Sequence, residues 1–140
     1  MVKMVEEKQI VIDAKGATLG RLASYAAKQA LQGKKVVILN SERAIVTGKK
    51  KSILRNYLEK KQRGGSSQRG PLFSKLPERI VKRTIRGMLP DYRDGRGREA
   101  FKRVLCFREV PEKYKDVKTI KAGKEKHTGY LNIEQISKKI

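Results

Sequence analysis

Residues 9–39 read QIVIDAKGATLGRLASYAAKQALQGKKVVIL, and this stretch decides the fold class. It opens with a short β-branched run over residues 9–12, which predicts a strand. It closes with the continuous apolar run of residues 36–39, which is typical of a strand covered on both faces. Between the two runs, apolar residues recur over residues 19–31 at the 3.6-residue spacing of a helix with one buried face. The order strand, helix, strand predicts a right-handed βαβ unit with parallel strands.

Turn and cap residues mark where the helices and strands begin and end. Thr18 is the predicted N-cap of the first helix, and Gly33 is predicted to stop it. Downstream we predict a third strand over residues 44–46, a helix from a Thr47 cap to about residue 60, an amphipathic helix over about residues 76–86 ended by Gly87 and Pro90, and a last sheet strand over residues 104–107. Glycine-rich or turn-rich composition predicts an exposed basic loop over residues 61–72 and a connector over residues 91–98.

The end of the chain is charged and poorly periodic. After Pro111 we predict a tail, in which Leu131, Ile133, Ile136 and Ile140 suit one docking turn or short helix. Nothing in the sequence indicates a repeat or a second domain. The chain is therefore predicted to be a single domain, residues 1–140, with a core over about residues 9–108 and an extension over about residues 109–140.

The charge of the chain points to its class of partner. The 140 residues carry a net charge of +21. Residues 43–108 hold 20 basic and five acidic side chains, so most of the excess lies in the middle of the chain. Repulsion among so many like charges opposes compaction unless a polyanion neutralises it. The charge therefore predicts a nucleic-acid partner, and separated basic loops on an α/β body suit the backbone of a folded RNA.

Several classes of protein are excluded by composition. The single cysteine, Cys106, excludes a disulfide framework and a cysteine-based zinc site, and the single histidine, His127, excludes a two-histidine metal site. No window is apolar for the ~18 residues that a membrane span requires. The first ten residues lack the apolar core of a secretion signal. These features predict a cytoplasmic protein without membrane contact, cofactor or small-molecule substrate.

Three patterns resemble enzyme motifs, and each of them fails. Residues 16–20 follow a strand and open a helix, but Thr18 stands where a dinucleotide loop needs its second glycine. A phosphate-binding loop ending at Gly48-Lys49 would need a serine or threonine where Lys50 stands. Cys106 lies in an apolar strand and reads as a buried thiol rather than as a nucleophile for His127. We therefore predict no catalytic residues and no metal ligands.

The helix over residues 76–86 carries the clearest binding signal. At 100° per residue, four basic residues fall on one face and the apolar residues fall on the other. The basic residues are Arg79, Lys82, Arg83 and Arg86. An exposed helix face normally mixes glutamate with lysine for ion pairing, but the only acid here is Glu78. This face is predicted to lie against RNA phosphates.

The sequence also resembles the large-subunit ribosomal protein L-thirteen family, in its archaeal and eukaryotic branch. The motifs that carry the resemblance are Asp13-Ala14-Lys15-Gly16, Leu19-Gly20-Arg21-Leu22-Ala23-Ser24, Gly33-Lys34, Ile45-Val46-Thr47-Gly48-Lys49, Pro77 and Arg79, Arg86-Gly87-Met88-Leu89-Pro90, and Gly97-Arg98. They occur in the family's order over residues 9–108. The resemblance implies a three-layer α/β fold with a mostly parallel sheet of about four strands and helices on both faces. It also implies a structural role in the large subunit, where the protein would bind and help fold the rRNA beside neighbouring ribosomal proteins.

The basic segments and the resemblance together give the predicted RNA-binding residues. They are Arg21, Lys49, Lys50, Lys51, Arg55, Arg63, Arg69, Arg79, Lys82, Arg83, Arg86, Arg93, Arg96 and Arg98. Met88 is assigned either to the core or to packing against RNA. Two alternatives stay open at this point: a nucleotide-dependent enzyme built on the βαβ unit, and a DNA-compacting architectural protein.

Overall fold

A four-stranded parallel sheet forms the centre of the structure, a computed structural model that describes residues 8–63, 73–123 and 129–140. The elements along the chain are β1 (Gln9–Asp13), α1 (Leu19–Leu31), β2 (Lys35–Leu39), a 3₁₀ helix (Ser41–Arg43), β3 (Ile45–Thr47), α2 (Lys50–Gln62), α3 (Pro77–Met88), α4 (Gly95–Lys102), β4 (Val104–Cys106), a second 3₁₀ helix (Glu112–Tyr114), β5 (Ile120–Lys121), β6 (Tyr130–Asn132) and α5 (Ile133–Lys139). The strand order of the sheet is β4-β2-β1-β5.

The predicted βαβ unit is confirmed. Strands β1 and β2 pair in parallel, with Ile10 opposite Val36, and α1 connects them. Thr18 is the N-cap of α1. Gly33 follows the helix with a φ of +92°, a left-handed conformation that favours glycine.

Both faces of the sheet are covered. On one face, Ile12, Ile38 and Val104 belong to a buried cluster that also contains apolar side chains of α1 and α3. On the other face, Val37 packs in a smaller cluster with Tyr114. The three-layer α/β arrangement is therefore confirmed, although the second layer is the 3₁₀ helix that contains Tyr114 and the segment around it.

The pairing of the later strands differs from the prediction. The segment expected as a third strand, β3, pairs antiparallel with β6 in a separate two-stranded sheet. The strand expected to be last, β4, is followed in the same sheet by β5, which pairs with the free edge of β1. The two residues of β5 are exposed, so they lack the apolar run by which a buried strand is recognised.

Two local expectations are wrong. Thr47 ends β3, and the N-cap of α2 is Lys49. The segment expected as a flexible connector contains α4, which begins at Gly95 because the Asp94 carboxylate accepts a hydrogen bond from the Gly95 amide at 2.8 Å. The flexible backbone predicted for residues 95–98 is therefore the first turn of a helix.

The C-terminal segment packs into the body of the protein. Asn132 and Gln135 form a reciprocal capping box at the start of α5. Ile133 lies in the same buried cluster as β1 and α1, and Ile136 packs with Ile53 of α2. The short docking helix expected near the C-terminus is confirmed, and apolar side chains beyond residue 108 contribute to the core.

Candidate nucleic-acid interface

Helix α3 separates a buried apolar side from an outward basic side. Its first residue, Pro77, suits a first turn whose amide has no partner within the helix. Ile80, Val81 and Ile85 are buried against the rest of the protein. The outward side carries Arg79, Lys82, Arg83 and Arg86, which we call the α3 basic face. The amphipathic character predicted for this helix is confirmed.

Three cations of the α3 basic face lie over aromatic rings. The Lys82 Nζ is 4.9 Å from the centroid of the Phe101 ring. The Arg83 Cζ is 4.8 Å from that of Phe73, and the Arg86 Cζ is 4.5 Å from that of Tyr92. A cation within about 6 Å of a ring centroid is attracted to the ring, by about 0.5–1 kcal/mol at exposed sites. The rings therefore restrict where these charges lie before any ligand binds.

Sequence reasoning missed these aromatic partners. Phe73 precedes the helix, Tyr92 follows it, and Phe101 belongs to α4. Their signal in the sequence is only that aromatic residues stand on both sides of a basic helix. The tertiary fold is what brings the rings to the cations.

Two depressions lie on either side of Arg83. One, of about 220 Å³, is lined by Ser74, Phe101 and all four residues of the α3 basic face. The other, of about 350 Å³, includes Arg63 and Lys60 together with the rings of Tyr57 and Phe73. No acidic residue lines either depression in the part of the chain that the structure describes. Both are therefore suited to an anion.

Tyr92 titrates in the positive field of this surface. The Arg93 Nε donates a hydrogen bond of 3.3 Å to the Tyr92 hydroxyl. This hydrogen bond, with the charges of Arg93 and then Arg86, lowers the pKa of Tyr92 below its usual value. The same field that stabilises a phenolate would stabilise a phosphate.

The remaining predicted residues lie in three other places or outside the described part. Lys49, Lys50, Lys51 and Arg55 are exposed at the start of α2, and the length of that helix separates them by about 20 Å from Arg63. Arg96 and Arg98 are exposed in the first turn of α4, and Arg93 is exposed beside Tyr92. Arg21 lies on α1 and lines a different groove. Arg69 lies outside the described residues.

The enzyme-like motifs do not form sites. The turn after β1 is bonded to the chain itself, since the Gly16 amide donates to the Arg43 carbonyl at 3.1 Å and the Ile45 amide donates to the Ala17 carbonyl at 2.9 Å. Burial raises the pKa of the Cys106 thiol to about 12, which removes it as a nucleophile near neutral pH. His127 lies outside the described residues. Within residues 8–63, 73–123 and 129–140, no cluster of three or more His, Cys, Asp or Glu side chains could hold a metal ion.

The helices of the described ranges are also too short or too polar to cross a membrane. Met88, left open between the core and RNA packing, is 44% exposed and does not belong to the core.

Comparison with known proteins supports the family resemblance. Residues 7–113 match the family model described as Ribosomal protein L13. Three relatives are each called large ribosomal subunit protein uL13. The protein of Methanosarcina barkeri is 50% identical over 111 residues, which are 79% of this chain and 78% of that protein. The protein of Archaeoglobus fulgidus is 46% identical over 112 residues, which are 80% of this chain and 70% of that protein.

The third relative extends the similarity toward the C-terminus. The protein of Methanocaldococcus jannaschii is 41% identical over 131 residues, which are 91% of this chain and 94% of that protein. The family match covers well over half of the chain, and the relatives align along most of their own length. The chain belongs to the ribosomal protein L13 family.

Proposed function

We propose that this protein is a structural component of the large ribosomal subunit that binds large-subunit rRNA through the α3 basic face. Membership of the family gives the structural, non-enzymatic role and the place in the cytoplasmic ribosome. The observation that supports the RNA-binding surface is the set of three cations held over aromatic rings on one side of a single helix. The nucleotide-dependent enzyme and the DNA-compacting protein receive no support from the comparisons.

The arrangement of the α3 basic face favours phosphates. Four like charges on one helix face repel each other in water, and a polyanion converts that repulsion into attraction. Holding the long side chains over Phe73, Tyr92 and Phe101 reduces the conformational freedom that they lose on binding. The face of an arginine that points away from its ring stays able to stack on an unpaired base, a contact typical of RNA recognition.

Other basic residues extend the proposed surface. Arg63 lines the depression next to Arg83, and Arg93 bonds Tyr92, so both adjoin the α3 basic face. The exposed cations of α2 and α4 add further phosphate contacts in this proposal. They are Lys49, Lys50, Lys51, Arg55, Arg96 and Arg98. Arg69 stays a prediction.

The experiment compares two triple variants of equal charge change. Arg79, Arg83 and Arg86 are replaced with Gln in one variant, and Lys113, Lys115 and Lys118 in the other. The second set is exposed and lies in and after the 3₁₀ helix that covers the opposite face of the sheet. Affinity for large-subunit rRNA fragments is measured from about 50 to 200 mM salt.

The α3 variant should lose affinity and about one unit of salt slope per lost phosphate contact. The control variant should keep nearly the original slope. Its fold should be intact in both cases, because exposed substitutions usually change stability by less than about 0.5 kcal/mol. An unchanged slope in the α3 variant, or an equal loss in both variants, would contradict the proposal.

A further inference from the structure

A groove along the outward side of α1 differs in chemistry from the α3 basic face. It consists of two depressions of about 710 and 530 Å³. Both are lined by Ser24 and Lys28, so they form one continuous surface. None of the four residues of the α3 basic face lines it. The groove is therefore a second candidate surface, with its own residues.

Large apolar side chains are exposed at the two ends of this α1 groove. Met88 lies at one end beside Leu31, and Ile120 of β5 lies at the other beside Gly20. These side chains are 44% and 42% exposed, and they are among the most exposed large apolar residues of the described ranges. Exposed apolar surface of this kind marks a protein interaction site more often than an RNA site, because a phosphate backbone gains nothing from covering it.

The floor and the rim of the groove complete the picture. Ala27 and Ala122 are buried in the floor, so a partner can approach the backbone of α1 closely. The charged side chains at the rim are Arg21, Lys28 and Lys121. No acidic side chain lines the groove among the residues that the structure describes. A complementary partner therefore brings its own acids.

From this combination we infer that the α1 groove binds one segment of a neighbouring ribosomal polypeptide, which carries two apolar anchors and acidic residues between or beside them. The inference rests on the proposed function, because that function supplies the neighbour. The α3 basic face offers cations over rings and no comparably exposed Met or Ile, so it matches RNA. The α1 groove offers exposed aliphatic ends with a cationic rim, so it matches an acidic, amphipathic polypeptide. Arg21 pairs with a carboxylate in this assignment.

The length of the groove sets the spacing of the anchors. Gly20 and Leu31 are eleven residues apart on α1, which corresponds to about 16 Å at the helical rise. An extended segment covers that distance in about five residues, and a helical one in about three turns. The apolar residues of the partner segment should therefore be spaced by one of these two intervals.

The test uses large ribosomal subunits that contain the full chain. The photo-crosslinker p-benzoylphenylalanine replaces Ser24, which is exposed and lines both depressions. A second preparation carries it in place of Arg79, which is exposed on the α3 basic face. After irradiation, the products are separated into RNA and protein adducts, and the protein adducts are sequenced by mass spectrometry.

The probe at Ser24 should react with another ribosomal protein, at a segment with acidic residues and apolar anchors at the stated spacing. Its yield should fall about tenfold when Met88→Gln and Ile120→Gln are added, since the loss of two interface anchors costs at least that factor. The charge of the groove is the same in that variant, so an RNA occupant would be unaffected.

Four results would overturn the inference: an adduct mainly with RNA, an adduct with a second copy of this chain, a protein adduct that lacks acids or ignores the two Gln substitutions, and no adduct at all. The probe at Arg79 separates this from the proposed function. If it reacts with rRNA while the Ser24 probe gives one of those four results, only the α1 groove inference fails. If it does not react with rRNA, the proposed surface fails instead.

Discussion

Arg86 packs against the ring of Tyr92, with its Cζ 4.5 Å from the ring centroid. Arg93 adds a second cation to the same tyrosine, 5.4 Å from that centroid. The two arginines come from a helix and from the loop after it, and one ring holds both of them. Tyr92 therefore organises basic side chains and makes no demand on the core.

Replacing Tyr92 with Leu tests this organising role. We expect affinity for large-subunit rRNA fragments to fall about two- to fivefold, because the guanidinium groups lose the ring that restrains them. The number of cations is unchanged, so the salt slope should stay the same. Tyr92→Phe keeps the ring and should bind nearly as the original protein does. Original affinity for the Leu variant would show that the ring does not prepare the cations.

The sequence predicted those parts of the fold that depend on local periodicity. The two faces of α3 follow from the spacing of Arg79, Arg83 and Arg86 against Ile80 and Ile85, and each of these residues reports on its neighbours within one or two turns. The pairing of β1 and β2 through α1 follows for the same reason. The aromatic partners of the cations could not be predicted, because their proximity depends on contacts between distant segments.

Elements that form only in their tertiary setting escaped prediction. Strand β5 is two exposed residues long and exists because β1 offers an unpaired edge. Helix α4 begins with two glycines, which have low helix propensity. It is stabilised instead by a cap from Asp94 and by close packing of Gly97, and neither is visible in the pattern of apolar residues.

Gly97→Ala should destabilise the protein strongly. A Cβ at this position would lie 2.3 Å from the Pro90 carbonyl oxygen and 2.4 Å from that of Asp91. Both atoms belong to the backbone, so relief requires a shift of α4 as a whole. We expect a loss of about 1–3 kcal/mol or more in the free energy of unfolding, measured by urea denaturation.

Gly20→Ala is the matched control for this change. Gly20 is also in the first turn of a helix, and a Cβ there would meet nothing within 4 Å. Alanine should therefore be neutral or stabilising by up to about 1 kcal/mol. Similar stability of the two variants would mean that α4 does not pack against residues 90 and 91 as described.

Ile136→Ala tests whether the C-terminal helix belongs to the core. Ile136 is fully buried, although it lies beyond the residues that match the family model. Its truncation should cost about 2–5 kcal/mol in the free energy of unfolding, from lost burial and the cavity that remains. Lys139→Ala, on the exposed side of α5, should change stability by less than about 0.5 kcal/mol. A cost for Ile136→Ala as small as that of the control would identify the segment as a loosely attached tail.

The thiol of Cys106 should be protected from alkylation in the folded protein. Burial raises its pKa from 9.0 to about 12, so below pH 9 the folded chain should hold about 1,000-fold less thiolate than the unfolded chain. The raised value favours the neutral thiol, so its stabilising contribution is complete below pH 9 and is lost as the pH rises through about 12. We expect iodoacetamide at about pH 8.5 to modify the native protein at least a hundredfold more slowly than the protein in guanidinium chloride. Comparable rates in the two states would mean that β4 does not shield this side chain.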